Sequence, residues 1–434
     1  MWSGLIILSI AFFYLWILPL FQPRGDYLWG YYSLKDIYLG IPIGLALICS
    51  LLVFAVPRRF KRPLALRLAS ISISILFALF LADVAYAMMV NGVWHANFWL
   101  DQAHLPRRYS TADPELGFIR KPLITWRGYA PGVDSIVDYQ TDENGFRNPV
   151  GTKRAEIVFI GDSFTEAIQV EERDTFVRRV ETISKLTAVN LGRGAYGPQQ
   201  ELIVLRRYGL SYRPRVVIWQ LFEGNDLADA SVFAKWKKNP EAQVGSFKQR
   251  YMENSLLADW IPRVRRPPAH FPVVKFKYTD GTESLISLRY QYDPDAPSKN
   301  PEGFAETTKA IETGYQLCQS QGVKLVVVLV QPMLRVLEPY LFFERQEDSA
   351  RYLPKAGVDV RDFSNRMADF CGQVGCSFVD TYTALRNAAA VDNRNLYVPV
   401  DEHLDVTGHE VVAQALMEQL RSAELVSLET FVTK

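Results

Sequence analysis

The sequence predicts an α/β protein: a doubly wound parallel sheet of five strands with helices on both faces, preceded by three membrane-crossing helices. Three observations predict it. From residue 156 to about 422, short strand-like apolar runs alternate with helix-length amphipathic patterns, and such alternation means parallel strands joined by crossover helices. Three long runs with at most one charge fill the first 92 residues, each long enough to cross a bilayer. The strands end in turns rich in Gly, Ser, Asn and Asp, at the edge where open parallel sheets gather their chemistry. A chain of 434 residues has room for both parts.

The apolar runs come first. Residues 4–21 (GLIILSIAFFYLWILPLF) and 37–56 (IYLGIPIGLALICSLLVFAV) carry no charge, and residues 68–90 hold only Asp83. A signal peptide would show one short apolar core and a cleavage site. Three successive runs predict retained helices and a membrane anchor over 1–92. The loop before the third run contains Arg58, Arg59, Lys61, Arg62 and Arg67, whereas the first loop sets Arg24 and Lys35 beside Asp26 and Asp36. The positive-inside rule then puts the N-terminus in the cytoplasm of a cell (inner) membrane and everything after residue 90 outside, in the periplasm. Asp83 is expected at the outer interface or turned toward neighbouring helices.

Composition excludes several classes. Lys and Arg number 48 against 47 Asp and Glu, and no basic tract with interleaved aromatics offers a nucleic-acid surface. The four cysteines and five histidines form no ligand-spaced cluster, so no metal or cofactor is expected. Cys371 and Cys376 are five apart, as a small disulfide loop or as two buried thiols beside a strand; both readings stay open.

Residues 93–150 read as an extended linker, with VDYQTDENGFRNP (137–149) as a strand and a turn at Asn144-Gly145 that pack on the edge of the next domain. That domain spans 151–434. Its first strand, the five residues Ile157 to Gly161 in EIVFIGDSFTE, is broken by Gly161-Asp162-Ser163. A helix near 174–186 with Asp174 as N-cap leads to a strand in LTAVNLG (186–192) and the turn GRGAYGP. Then come a helix at 199–210, a strand at 216–222, a helix at 303–320, a strand at 324–332, a helix at 360–373 and a strand at 376–382. A final helix runs from about 408 to 422, with Thr407 and Glu410 at capping-box spacing. Two insertions, 227–300 and 333–358, interrupt the rhythm and are expected to form lids or substrate walls.

Four loops at strand ends carry the chemistry: Ser163, the glycines from Gly192 to Gly197, Glu223-Gly224-Asn225-Asp226, and Asp401-Glu402-His403. Breaking an ester needs a nucleophile, a base, a carboxylate to orient the base, and donors for the oxyanion. These blocks resemble those of the GDSL, or SGNH, hydrolase superfamily over about residues 140–422. Ser163 in GDSF matches the nucleophile block, with Phe164 where leucine is often found; Asn225 in EGND and His403 with Asp401 in DEHLDVTGH match the others. The resemblance implies a flavodoxin-like sheet with Ser163 as nucleophile, His403 as base and Asp401 as its orienting carboxylate. It also implies an oxyanion hole made by the N–H of Ser163, an N–H from Gly194 or Ala195, and the Asn225 amide.

The pattern departs from the family twice. Ala195 occupies the position where a glycine usually donates, so Gly194 and Ala195 both remain candidates, and Glu223 stands where glycine is common, as a possible determinant of specificity. In an extended loop, side chains two apart point the same way, which brings Asp401 to His403, with Asp405 as competitor. Asp162, Glu223 and Asp226 are the carboxylates expected at the substrate, with a loop-tying role the alternative for Asp162 and Asp226. His409 is expected on the surface, His95, His104 and His270 stand in no context that supports a role, and Arg263, Arg265 and Arg266 form a solvated face or an anion contact.

The expected function is thus a membrane-anchored, extracytoplasmic serine esterase that removes acyl groups, acetyl foremost, from a glycan or other envelope ester. Its expected partners are that ester and the lipid bilayer. The same triad would serve an O-acyltransferase fed by a membrane acyl-donor partner. A glycan-binding or assembly protein on the same fold is the non-catalytic alternative, against which the intact Ser163, Asn225, Asp401 and His403 argue.

Overall fold

The computed structural model describes residues 57–89, 110–129, 136–238, 273–277, 281–288, 295–343, 359–392, 395–399 and 401–422, with isolated positions elsewhere. The chain divides into two compact units, one of residues 1–97, 126–129 and 242–269, the other of the remainder.

In the first unit a 32-residue helix spans Arg58–Met89. Its stretch Leu66–Ala85 has a mean hydropathy of 2.2, enough by length and composition to cross a membrane. Leu66, Ile73, Phe77 and Leu81 along it are exposed. The helix starts ten residues before the apolar run at 68 and takes in Arg58, Arg59, Lys61, Arg62 and Arg67, expected in a loop. Lys and Arg are good helix formers, so the charged stretch simply continues the helix. Asp83 is buried on this otherwise exposed helix. Of the three expected spans this is the one described; 4–21 and most of 37–56 lie outside the described residues.

The second unit is built on five parallel strands: β1 (Ile157–Ile160), β2 (Ala188–Asn190), β3 (Val216–Phe222), β4 (Lys324–Val330) and β5 (Ser377–Asp380). Their spatial order is β2-β1-β3-β4-β5, the flavodoxin-like order expected, with the direction of winding switching between β1 and β3. Ile157 and Lys324 both pair with Val216, so β3 is central, and all seven of its residues are buried. A parallel strand covered on both faces reads as an unbroken apolar run for this reason.

Helices follow each strand: α1 (Ser163–Glu166), α2 (Phe176–Ser184), α3 (Pro198–Arg207), α4 (Asp226–Lys238), α5 (Pro301–Ser320), α6 (Asp362–Val374), α7 (Tyr382–Asp392) and α8 (Val406–Ser422). α2 and α8 pack together on one face, with α7 beside α8, while α3, α4 and α5 pack together. The core joins Phe159, Phe176, Val180, Ile218, Val328, Val412 and Leu416. Trp219 of β3 lies against Gly314 of α5, where a Cβ would come within 2.4 Å of the ring. Its Nε1 donates to Oε2 of Glu201 on α3 at 2.6 Å.

Several expectations shift. Thr175, not Asp174, caps α2 by accepting from the Arg178 N–H. Asp405 caps α8, its Oδ1 accepting from the Gly408 N–H at 2.8 Å, so Thr407 lies inside the helix. The stretch 93–150 is more than a linker. Ser110–Asp113 and Gly117–Arg120 form an antiparallel pair, Ile136–Gln140 is a strand, and Phe118, Tyr139 and Phe146 are buried. The two insertions meet: Leu341–Phe342 pairs with Val273–Lys277, which pairs with Glu283–Ser287. Val274, Phe276, Ile286 and Leu288 of this small sheet join the main core. Cys318, Cys371 and Cys376 are buried free thiols, and Cys49 is also free.

Candidate active site

β1 and its neighbours end together, which is what assembles the site. Ile160 is level with Trp219 and Phe159 with Asn190. Ser163 therefore leaves β1 beside the loop after β2 and beside Asn225, just beyond β3, at the crevice of the switch point. Asp162 accepts from the Phe164 N–H at 2.9 Å and caps α1, leaving Ser163 at the first position of a helix of four residues. Ala167 closes the helix in a left-handed conformation (φ 53°).

His403 arrives from 240 residues away and its Nε2 lies 2.7 Å from Ser163 Oγ. Its Nδ1 lies 3.2 Å from Asp401 Oδ1. Thus Ser163, His403 and Asp401 form one chain of contacts, as expected. The local reason differs from the expected extended loop. Glu402 sits at φ 66°, a left-handed residue between the two, and the Asp401 and Glu402 N–H groups both donate to the Val398 carbonyl. The turn, not strand alternation, folds Asp401 onto the imidazole. Asp405 is occupied as the α8 cap. Beneath the imidazole, Phe164 lies 4.8 Å away and stacks on Phe222 at 4.1 Å, so Phe164 supplies an aromatic floor.

The glycine block is resolved by a hydrogen bond. The Gly194 N–H donates to Glu166 Oε2 at 2.7 Å, so this expected oxyanion donor is engaged inside the protein. Among the described residues, no acceptor takes the Ala195 N–H. Ala195 adopts φ 64°, a left-handed turn that an alanine tolerates at about 1–2 kcal/mol. The loop is pinned to α1: the Arg193 N–H donates to the Gly161 carbonyl at 2.9 Å and Asn190 Nδ2 to the Thr165 carbonyl at 2.6 Å. At Gly192 a Cβ would lie 2.4 Å from that of Thr165. Asn225 Nδ2 donates one hydrogen to Asp229 Oδ2 at 2.9 Å and keeps its second.

Asp162, Glu223 and Asp226, the carboxylates expected at the substrate, are buried and held by partners inside the protein. Asp226 Oδ2 accepts from the Phe222 N–H at 2.8 Å, and Glu223 pairs with the Arg335 guanidinium. For Asp162 and Asp226 this is the loop-tying alternative. Burial pushes the Asp162 carboxyl up to about 6, against the pull of the Phe164 N–H and His403. Burial raises Glu201, Asp226 and Asp229 as well, each increased further by Asp162. Glu223 is pushed to about 7 by burial, although Arg335 pulls it down.

Residues the sequence did not single out hold this frame. Glu166 is buried among Arg120 (Nε, 3.2 Å), Tyr139 (hydroxyl, 2.7 Å), Arg193 (Nη1, 2.8 Å) and the Gly194 N–H. Burial raises its pKa, but Arg193 and Arg120 outweigh that and bring it to about 2. Arg147, fully buried, donates to the carbonyls of Glu166, Ala167 and Val170. Gln169 Nε2 donates to Asp401 Oδ2 at 2.7 Å. Glu166 stands in the mixed stretch GDSFTEAIQV, and its partners are scattered from 120 to 194, so no spacing points to them. His409, expected on the surface, is buried: Nδ1 accepts from the Phe176 N–H at 3.2 Å, and burial lowers its pKa to about 3. No group of ligands suited to a metal ion occurs among the described residues.

No protein-family model matches the chain, and no curated protein matches it in sequence. Among solved structures it is similar to an acetyl xylan esterase, at 13% identity over 61% of this chain and 98% of that chain, with a TM-score of 0.34. It is also similar to a GDSL-like lipase from Bacteroides thetaiotaomicron VPI-5482, at 12% identity over 63% and 89% of the two chains, TM-score 0.31. A third similar structure is a catalytic mutant of an acetylxylan esterase from Geobacillus stearothermophilus, at 11% identity over 61% and 94%, TM-score 0.33.

Proposed function

We propose that the protein is an SGNH-type serine esterase, anchored in a cell membrane with its α/β unit on the extracytoplasmic side, that removes acetyl or similar acyl groups from a glycan or other envelope ester. One observation carries this reading: Ser163 Oγ, His403 and Asp401 form a chain of contacts at 2.7 and 3.2 Å, at the ends of the neighbouring strands β1 and β3. The anchoring rests on the apolar helix within Arg58–Met89 and on the positive charge before it.

In the reaction, Ser163 Oγ attacks the ester carbonyl carbon while His403 Nε2 takes its proton. Asp401, against Nδ1, fixes the tautomer and stabilises the imidazolium. The carbonyl oxygen becomes an oxyanion that accepts from the N–H groups of Ser163 and Ala195 and from the free hydrogen of the Asn225 amide. The intermediate collapses, the sugar oxygen leaves with the proton from His403, and an acyl-serine remains. Water, deprotonated by the same imidazole, releases the carboxylic acid and restores Ser163.

The test is to treat the full chain in detergent with a fluorophosphonate probe beside Ser163→Ala, and to assay acetate released from acetylated glycans. Labelling that requires Ser163, with acetate released to water and not passed to a sugar hydroxyl, is the expected result. A folded wild-type chain that does not label sinks the esterase reading.

A further inference from the structure

Asp401 has two carboxylate oxygens, and only one faces His403. Oδ1 lies at the imidazole, while Oδ2 accepts from Gln169 Nε2 at 2.7 Å. Both side chains are buried, at 3% and 1% exposure, so water does not compete for this bond. Gln169 comes from the nucleophile's own segment, six residues after Ser163 and 232 residues before Asp401. The segment that carries it cannot drift. Arg147 grips the carbonyls on either side: Nη1 donates to those of Glu166 and Ala167, and Nη2 to that of Val170 at 2.7 Å. Ala167, left-handed at φ 53°, turns the chain out of α1 so that Gln169 reaches across to the histidine loop.

We propose that Gln169 is the positioning residue of the triad, holding the Asp401 carboxylate in the rotamer that presents Oδ1 to His403. The proposal rests on the esterase reading given above. Physically, a carboxylate turns about its Cβ–Cγ bond, and a buried one with an unmade hydrogen bond rotates or relocates to satisfy it. The Gln169 amide fixes that rotation and favours the ionised form. Because the amide hangs from the turn that carries Ser163, the same contact sets the spacing between the nucleophile segment and the histidine loop. Gln169 acts through Asp401 and touches no reacting atom.

The experiment measures the second-order rate of fluorophosphonate labelling of the full chain between pH 5 and 9. It uses wild type, Gln169→Leu, Gln169→Glu, Asp401→Ala and Ser163→Ala, with thermal unfolding recorded for each. Gln169→Leu is expected to label about tenfold more slowly at every pH, the loss of one buried hydrogen bond to a charged group. Gln169→Glu tests position specifically. Protonated, its carboxyl donates to Asp401 as the amide does; ionised, it repels Asp401. Its rate relative to wild type is therefore expected to fall as pH rises, a trend that loss of packing alone does not produce. If Gln169→Leu does not fold, the Gln169→Glu profile decides. If both variants follow the wild-type rate and profile while Ser163→Ala and Asp401→Ala abolish labelling, the proposal is overturned and the triad stands. If labelling survives Ser163→Ala, the esterase reading fails and takes this proposal with it.

Discussion

Glu166→Gln removes one charge from a buried polar cluster of the α/β unit. In the native chain this carboxylate receives Arg120, Tyr139, Arg193 and the Gly194 N–H. Its ordinary value of 4.5 is brought to about 2. At about 1.4 kcal/mol for each tenfold change in proton affinity, that difference corresponds to about 3 kcal/mol of stability at neutral pH. The amide removes this and leaves the guanidinium groups of Arg120 and Arg193 buried without their counter-charge. Breaking one partner out of a buried ionic cluster costs about 3–5 kcal/mol. With an m-value of about 3 kcal/mol per molar urea, the unfolding midpoint is expected to fall by about 1–1.7 M. The sign with pH follows from the depressed value: the contribution is present above 4.5 and is lost as pH falls toward 2, so the wild-type midpoint drops across that window while that of Glu166→Gln changes less. Urea unfolding followed by circular dichroism at pH 7 and pH 2.5 tests this. A midpoint within about 0.3 M of wild type at pH 7 refutes the view that the cluster is a net stabiliser.

Two further outcomes follow from the same geometry. His409 is held neutral by burial, from an ordinary 6.5 to about 3; the unfolded chain takes up a proton below 6.5 that the fold refuses, so stability is full above that pH and declines toward 3, and His409→Gln is expected to flatten the urea midpoint between pH 7.5 and 5. Asn225→Ala deletes one oxyanion donor and is expected to slow fluorophosphonate labelling by about 100-fold or more with unchanged circular dichroism; a loss under threefold removes Asn225 from the oxyanion hole.

The sheet was legible in the sequence because parallel strands buried on both faces leave uninterrupted apolar runs. Val216–Phe222 matches its expected bounds, and Ile157–Ile160 stops one residue short of the expected Gly161. The meeting of Ser163, Asp401 and His403 was legible because each stands in a short local block. What was not legible is contact made at long separation. Residues 93–150 look like a linker because Arg120, Tyr139 and Arg147 are ordinary polar residues until Glu166 and the carbonyls after it stand beside them. Gly194 and Ala195 are equal candidates in sequence, and only the bond to Glu166 separates them. His409 looks exposed one turn into an amphipathic helix, because nothing in that helix announces that α2 lends it an N–H to accept. The histidine loop was expected to be extended because the left-handed Glu402 is a tertiary choice.

The nucleophile turn is clasped from both ends of the unit, by Arg147 ahead of β1 and by His403 240 residues beyond Ser163. Closing so long a loop comes late on a folding route, after nearby contacts have formed. A partly folded chain thus holds a serine with no base beside it and is chemically inert toward esters. On the proposed esterase reading, reactivity is expected only once the histidine loop has closed on Ser163, which would make probe labelling a gauge of complete folding.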